Sequence, residues 1–244
     1  MLSHALPERV YNMDLVNNTL VVAMASRLFH IYDIRKMSEP AQTRESSLKF
    51  MTRSLACMAD GQGWSARVGL EGPCTPQRML NVLRCVFLVV GYAIGSVEGR
   101  IGVEYFDPSQ EAQAKKYAFK CHRQTIDDVD HVWPVNALAF HPVSVHSRSL
   151  RGCHNVDSNL DRYNTFASAG SDGTVSIWDH KVKKRLRQYP KYSASIPSVS
   201  FNCDGTRLGV GVSYNWDDGE EGAKMAERPA IWIRKTGEEV RVSR

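Results

Sequence analysis

The ten residues "GSDGTVSIWD", from Gly170 to Asp179, constrain the fold of this chain more than any other stretch. A small polar turn, Ser171-Asp172-Gly173, leads into an alternating strand that closes on a Trp-Asp pair. Such a unit is too small to fold alone, so whether it repeats decides the architecture. It does repeat, in weakened form. "LVVAMASRLFHIYD" (Leu20 to Asp33) has Tyr32 in place of the tryptophan, and "YAIGSVEGRIGVEYFD" (Tyr92 to Asp107) ends Tyr-Phe-Asp. "RLGVGVSYNW" (Arg207 to Trp216) and "PAIWIRK" (Pro229 to Lys235) form a further pair divided by an acidic loop.

Each unit follows another short run with apolar residues on alternate positions, as in Val135, Leu138 (after one slip) and Phe140, or Ile196, Val199 and Phe201. A period of two means strand. Asp172-Gly173 and Asp204-Gly205 are tight-turn pairs, because glycine accepts the backbone that such hairpins demand. Strand, turn, strand, Gly/Ser-rich turn, strand and an exposed fourth strand make one blade of an all-β propeller of the WD-repeat kind. Within it, His131, Ser168, Asp172 and Trp178 have the order of a buried hydrogen-bonded chain that ties the turn to the indole. The expected role of these four is structural.

The spacing departs from a regular array. Asp33 to Asp107 and Asp107 to Asp179 are each about 70 residues apart, where a blade needs about 40–45. The surplus lies in residues 64–90 and 144–162, each flanked by segments that would otherwise join as ordinary hairpins. The expectation is one propeller unit over residues 1–244 with these two insertions, read either as translated non-coding or splice-variant sequence or as functional loops.

Several runs are more particular than a blade pattern. "IYDIRKMSEPAQTRESSLKFMTR" (Ile31 to Arg53), "SVEGRIGVEYFDPS" (Ser96 to Ser109), "KKYAFKCHR" (Lys115 to Arg123), "PVNALAFHP" (Pro134 to Pro142) and "KKRLRQYPKY" (Lys183 to Tyr192) closely resemble the Bub-three family of mitotic-checkpoint WD-repeat proteins. The Rae-type mRNA export factors (Gle-two) are the nearest other relatives. The resemblance implies a ring of about seven blades. This chain would start at the third and hold about five, so that an arc with two open edges and an incomplete, poorly folded product are expected.

What the resemblance implies about function is peptide binding. Glu98, Arg100 and Arg123, with Trp133, fall where the family captures a GLEBS segment carrying paired glutamates. An arginine fork suits a carboxylate bidentately. The alternative is an internal salt bridge between Glu98 and Arg123. In "HKVKKRLRQYPK" (His180 to Lys191), Lys183, Lys184 and Arg185 are candidates for reading a phosphothreonine on a kinetochore scaffold, Lys184 by matching a family position. A phosphate brings close to two charges and three acceptors. The alternative is a solvated outer strand. Trp133, Tyr189, Tyr192, Tyr214 and Trp216 are either blade core or peptide anchors, with Trp133 and Trp216 expected to be exposed.

The function implied is a non-enzymatic adaptor of the spindle assembly checkpoint, in the nucleus and at the kinetochore. Its partners would be checkpoint kinases of the Bub and Mad type and the phosphorylated scaffold, with ubiquitin left open as a further partner. The alternative is an export factor that binds a nucleoporin GLEBS segment. No motif for a nucleophile elbow, a phosphate-binding lysine loop or a zinc-protease helix is present. The net charge of +5 is a mild bias that does not call for direct DNA contact. The six cysteines are scattered, and the neighbours Cys121-His122 and Cys153-His154 do not make a tetrahedral ligand set. The apolar run from Leu80 to Gly91 is well short of the ~20 residues that span a bilayer. No metal, cofactor or membrane partner is therefore expected.

Overall fold

The computed structural model describes residues 3–59, 89–142, 165–217, 219–225 and 227–237. The repeated sequence unit becomes a repeated antiparallel sheet. Sheet 1 holds β1 (Val10–Val16), β2 (Thr19–Met24), β3 (Leu28–Asp33) and β4 (Gln42–Glu45). Sheet 2 holds β5 (Thr52–Ala59), β6 (Val89–Ser96), β7 (Arg100–Tyr105) and β8 (Tyr117–Lys120). A separate two-stranded hairpin follows, β9 (Arg123–Ile126) and β10 (Val129–Val132). Sheet 3 holds β11 (Val135–Phe140), β12 (Thr165–Gly170), β13 (Val175–Asp179) and β14 (Lys184–Gln188). Sheet 4 holds β15 (Ser198–Phe201), β16 (Arg207–Val212) and β17 (Ala230–Lys235). Among the described residues, two short α-helices lie between strands, α1 (Gln110–Ala114) and α2 (Gly219–Met225).

Strands within each of the four sheets neighbour one another in chain order. The first strand of each sheet packs on the first strand of the next, β1 on β5, β5 on β11 and β11 on β15. Sheets that share their innermost strands in succession are arranged radially, which is the propeller expected. Three buried clusters fill the spaces between them. Val21, Phe29 and Ile31 meet Leu55, Tyr92 and Ile94 between sheets 1 and 2. Ile101 and Val103 meet Val135, Leu138 and Phe166 between sheets 2 and 3. Ala167, Val175 and Ile177 meet Ile196, Val199, Leu208 and Val210 between sheets 3 and 4. Sheets 2 and 3 thus bury both flanks by lending one to each neighbour, whereas sheet 4 leaves Ile231 and Ile233 of β17 exposed.

Local chemistry explains the repeated endings. The aspartate that closes a unit accepts hydrogen bonds from the backbone of the turn after it. Asp33 accepts from Arg35 N (3.0 Å), Asp107 from Ser109 N (2.8 Å), and Asp179 from Lys181 N (2.8 Å) and Val182 N (2.9 Å). These are Asx turns, so aspartate ends the strand because its short carboxylate satisfies donors the ladder leaves over. The slip after Val135 is a β-bulge between Val135 and Ala137, which keeps Val135, Leu138 and Phe140 on one flank despite the broken alternation.

The surplus segments 64–90 and 144–162 lie outside the described residues, apart from Val89 and Val90, which open β6. Across each gap the flanks do pair, β5 with β6 and β11 with β12.

Candidate peptide-binding surfaces

The tetrad is built around His122 and not His131. Trp178 Nε1 donates to Ser168 Oγ at 2.8 Å, His122 Nε2 lies 2.9 Å from the same hydroxyl, and His122 Nδ1 lies 2.9 Å from Asp172 Oδ1. One proton arrangement satisfies the whole chain: the indole donates to serine, serine to Nε2, and Nδ1–H to the carboxylate. Asp172 also accepts from Thr174 N (3.1 Å) and Oγ1 (2.8 Å). Burial pushes the Asp172 carboxyl up, but His122 and the two Thr174 donors outweigh it and hold it below the usual carboxylate range. His131 is exposed on β10, its ring stacked 5.9 Å from Trp133. The expectation failed because the β9–β10 hairpin is inserted between the tetrad histidine and β11, so the histidine nearest to β11 in sequence belongs to the hairpin.

His122 also positions the first candidate surface. Its φ of +46 turns the chain so that the imidazole enters sheet 3 and the next residue, Arg123, leaves toward the β6–β7 turn. That turn fits tightly. Gly99 has φ +62, and a Cβ there would meet the carbonyl oxygens of Cys121 at 2.6 Å and Trp133 at 2.9 Å. Backbone bonds from Cys121 N to Gly99 O (2.9 Å) and from Trp133 N to His122 O (3.0 Å) complete the joint. The structure therefore brings Glu98, Arg100, Arg123 and Trp133 to one place.

The internal salt bridge between Glu98 and Arg123 is not what forms. Arg123 Nη2 donates to the backbone carbonyl of Glu98 at 2.7 Å. The Glu98 carboxylate instead faces Arg100 Nε at 3.4 Å. Arg123 Nε has no hydrogen-bond acceptor among the described residues. A half-buried guanidinium is thus aimed by a carbonyl, and no carboxylate among the described residues pairs with it.

The second surface is β14, exposed along its whole length. Lys183 Nζ sits over the Tyr117 ring at 4.6 Å, and the Arg185 guanidinium over the Trp178 ring at 5.9 Å, both on the flank facing sheet 2. Lys184 pairs with Asp179 and lies on the other flank. A bulge between Ile177 and Trp178 displaces the alternation, so Arg187 also faces sheet 4, over the Tyr189 ring at 5.4 Å. The three predicted phosphate readers are therefore neighbours in sequence but divided between two clefts. Alternation alone would have separated Lys184 from Arg185, but the bulge that sends Arg185 and Arg187 to opposite flanks leaves no mark in the sequence.

Of the aromatic candidates, Tyr189 and Tyr192 are buried between sheets 3 and 4, Trp133 and Tyr214 are half-buried, and Trp216 is exposed. A cleft of about 710 Å³ between sheets 1 and 2 is lined by Arg44, Glu45, Glu104, Gln113 and Lys116. Its polar groups are largely engaged with the fold: Arg44 donates to the carbonyls of Tyr105 (2.5 Å) and Phe106 (2.7 Å), and Glu104 accepts from Tyr92 (2.7 Å) and Ser47 N (3.0 Å). Among the described residues, no group of three His, Cys, Asp or Glu side chains is placed to hold a metal ion, and no helix is long and apolar enough to cross a membrane.

No family model matches the chain. Comparison with curated proteins finds "Mitotic checkpoint protein BUB3.1" of Arabidopsis thaliana, 44% identical over 232 residues, 95% of this chain and 54% of that protein. Bub3 checkpoint proteins of Dictyostelium discoideum, Caenorhabditis elegans and fission yeast match as well. "WD40 repeat protein poxJ" of Penicillium oxalicum is 34% identical over 87% of this chain and 48% of that protein. "mRNA export factor GLE2" of Chaetomium thermophilum is 32% identical over 88% of this chain and 47% of that protein. The chain spans about half the length of the curated relatives it matches.

Proposed function

From a chain similar to the Bub3-type mitotic checkpoint proteins over most of its own length, we propose a non-enzymatic WD-repeat adaptor of the spindle assembly checkpoint, acting in the nucleus and at the kinetochore. One observation carries the reading: the half-buried Arg123 guanidinium is fixed by the Glu98 carbonyl and has no carboxylate partner among the described residues. A glutamate of a GLEBS segment brings a carboxylate to this half-buried guanidinium. The Glu98 carboxylate lies nearest Arg100, at 3.4 Å from its Nε, and Arg123 is turned to the Glu98 carbonyl instead. Partial burial strengthens the charge-assisted bond, and the anchored fork fixes the direction of approach. Trp133 offers an apolar wall beside it.

The phosphothreonine of a kinetochore scaffold segment is read at the outer strand of sheet 3, by Lys183 and Arg185 in one cleft or by Lys184 in the other. Cations held over aromatic rings are already ordered, so less side-chain freedom is lost when an anion arrives.

Calorimetry with a GLEBS peptide tests the first surface. Arg123→Glu is expected to abolish binding while keeping one cooperative melting transition, somewhat lowered by the lost bond to the Glu98 carbonyl, and wild-type affinity in that folded variant would remove Arg123 from the site. On β14, Lys184→Glu and Arg185→Glu made separately weaken a phosphopeptide in a salt-dependent way, and the larger loss identifies the cleft. Affinity that ignores the peptide phosphate overturns the phosphate reading. The GLE2 relative favours a second reading, an mRNA export factor that takes a nucleoporin GLEBS segment. Preference for the nucleoporin peptide with no response to the phosphothreonine peptide would select it.

A further inference from the structure

Trp216 is exposed to 65%, and its φ of +60 is a conformation that bulky side chains reach only at a cost. Packing does not call for it, since the indole belongs to none of the buried clusters. The loop nevertheless holds it in place. Tyr214 Oη donates to the Gly219 carbonyl at 2.9 Å, and Gly219 N donates to the Trp216 carbonyl at 3.3 Å. The Tyr214 ring lies 5.9 Å from the indole, tilted by 49°.

The charges around this pair reverse the sign of the chain. The protein carries a net +5, yet Trp216 is followed by Asp217, Glu220 and Glu221. Glu221 is bridged to Lys224 at 2.7 Å, while Asp217 and Glu220 are exposed and have no ion-pair partner among the described residues. An open indole face attracts a cation, and the two free carboxylates attract the same cation. A wholly apolar ligand would leave those carboxylates unused, and an acidic one would be repelled. We propose that Trp216, Tyr214, Asp217 and Glu220 form a docking site for an extended arginine- or lysine-bearing segment of a partner protein, with the cation on the indole. The site shares no residue with the surfaces that carry the checkpoint reading and stands or falls separately.

The full chain is titrated by fluorescence anisotropy with a labelled octapeptide of alternating arginine and glycine, and with the same peptide carrying citrulline at every arginine. The arginine peptide binds and the citrulline peptide is about tenfold weaker, because the positive charge is removed with little change in side-chain shape. Trp216→Gly lowers affinity about tenfold while its melting temperature holds or rises, since glycine accepts the positive φ without a Cβ. A merely structural tryptophan would not separate those two readouts. The double variant Asp217→Asn, Glu220→Gln, at exposed positions, weakens binding about fivefold and flattens its salt dependence. Should Trp216→Gly fail to fold, the double variant decides alone. Absence of arginine-peptide binding, equal binding of the citrulline peptide, or wild-type affinity in the double variant overturns the proposal.

Discussion

A buried serine that accepts from an indole and serves a histidine has no substitute nearby. In Ser168→Ala the Trp178 N–H and His122 Nε2 both lose the partner that the buried serine hydroxyl supplies. We expect a loss of about 2 kcal/mol or more, measured by urea unfolding, and for exposed His131→Ala a change within about 0.5 kcal/mol. Equal effects would return the tetrad to His131. Histidines elsewhere make stability depend on pH. Burial, helped by His4, holds His30 below the ordinary imidazole value, and burial does the same to His141 against the weaker pull of its hydrogen bonds. The unfolded chain therefore takes up protons at about pH 6.5 that the folded chain refuses. Stability is full above that value and falls as pH drops from about 6.5 through the lowered folded values. Replacing His30 and His141 with glutamine should flatten the decline in melting temperature between about pH 7 and 5.

At the scale of the element, turn chemistry is the sharpest constraint. Gly205 has φ +68, and a Cβ there would meet the His141 ring at 2.1 Å. Gly205→Ala combines an unfavourable backbone with a clash against a buried side chain, and should cost at least about 2 kcal/mol in the same unfolding measurement. The Asp204-Gly205 pair was readable as a tight turn because one residue type answers one backbone requirement. So were the strands, whose alternation reports a face, and the closing aspartates, which mark the ends. Reading failed where the answer depended on an inserted or surplus residue. The hairpin from Arg123 to Val132 displaced the tetrad histidine, and the bulge in β14 sent Arg185 and Arg187 to opposite flanks. At the candidate peptide site the four residue names were legible, but the pairing was not. Arg123 bonds the Glu98 backbone carbonyl and the Glu98 carboxylate faces Arg100, a choice of partners that residue types alone do not specify.

For the whole molecule, the seams between sheets matter more than any single sheet. Ile94, Ile101 and Ile177 are completely buried, one in each of the three clusters. Truncating each to alanine should cost about 2–5 kcal/mol. Because every described seam is shared by two sheets, all three variants should keep a single transition seen alike by tryptophan fluorescence and circular dichroism. Separate transitions would mean that the sheets unfold one at a time.

The bulge opposite Ile177 and Trp178 has a practical outcome for mutagenesis. Charge reversals at Arg185 and Arg187, two positions apart along the chain, act on different sides of a wall of packed side chains, so their penalties on any one ligand should simply sum. Leu186, the residue left over, can be excised without turning either guanidinium around, because the shortened strand then runs in unbroken step with its neighbour.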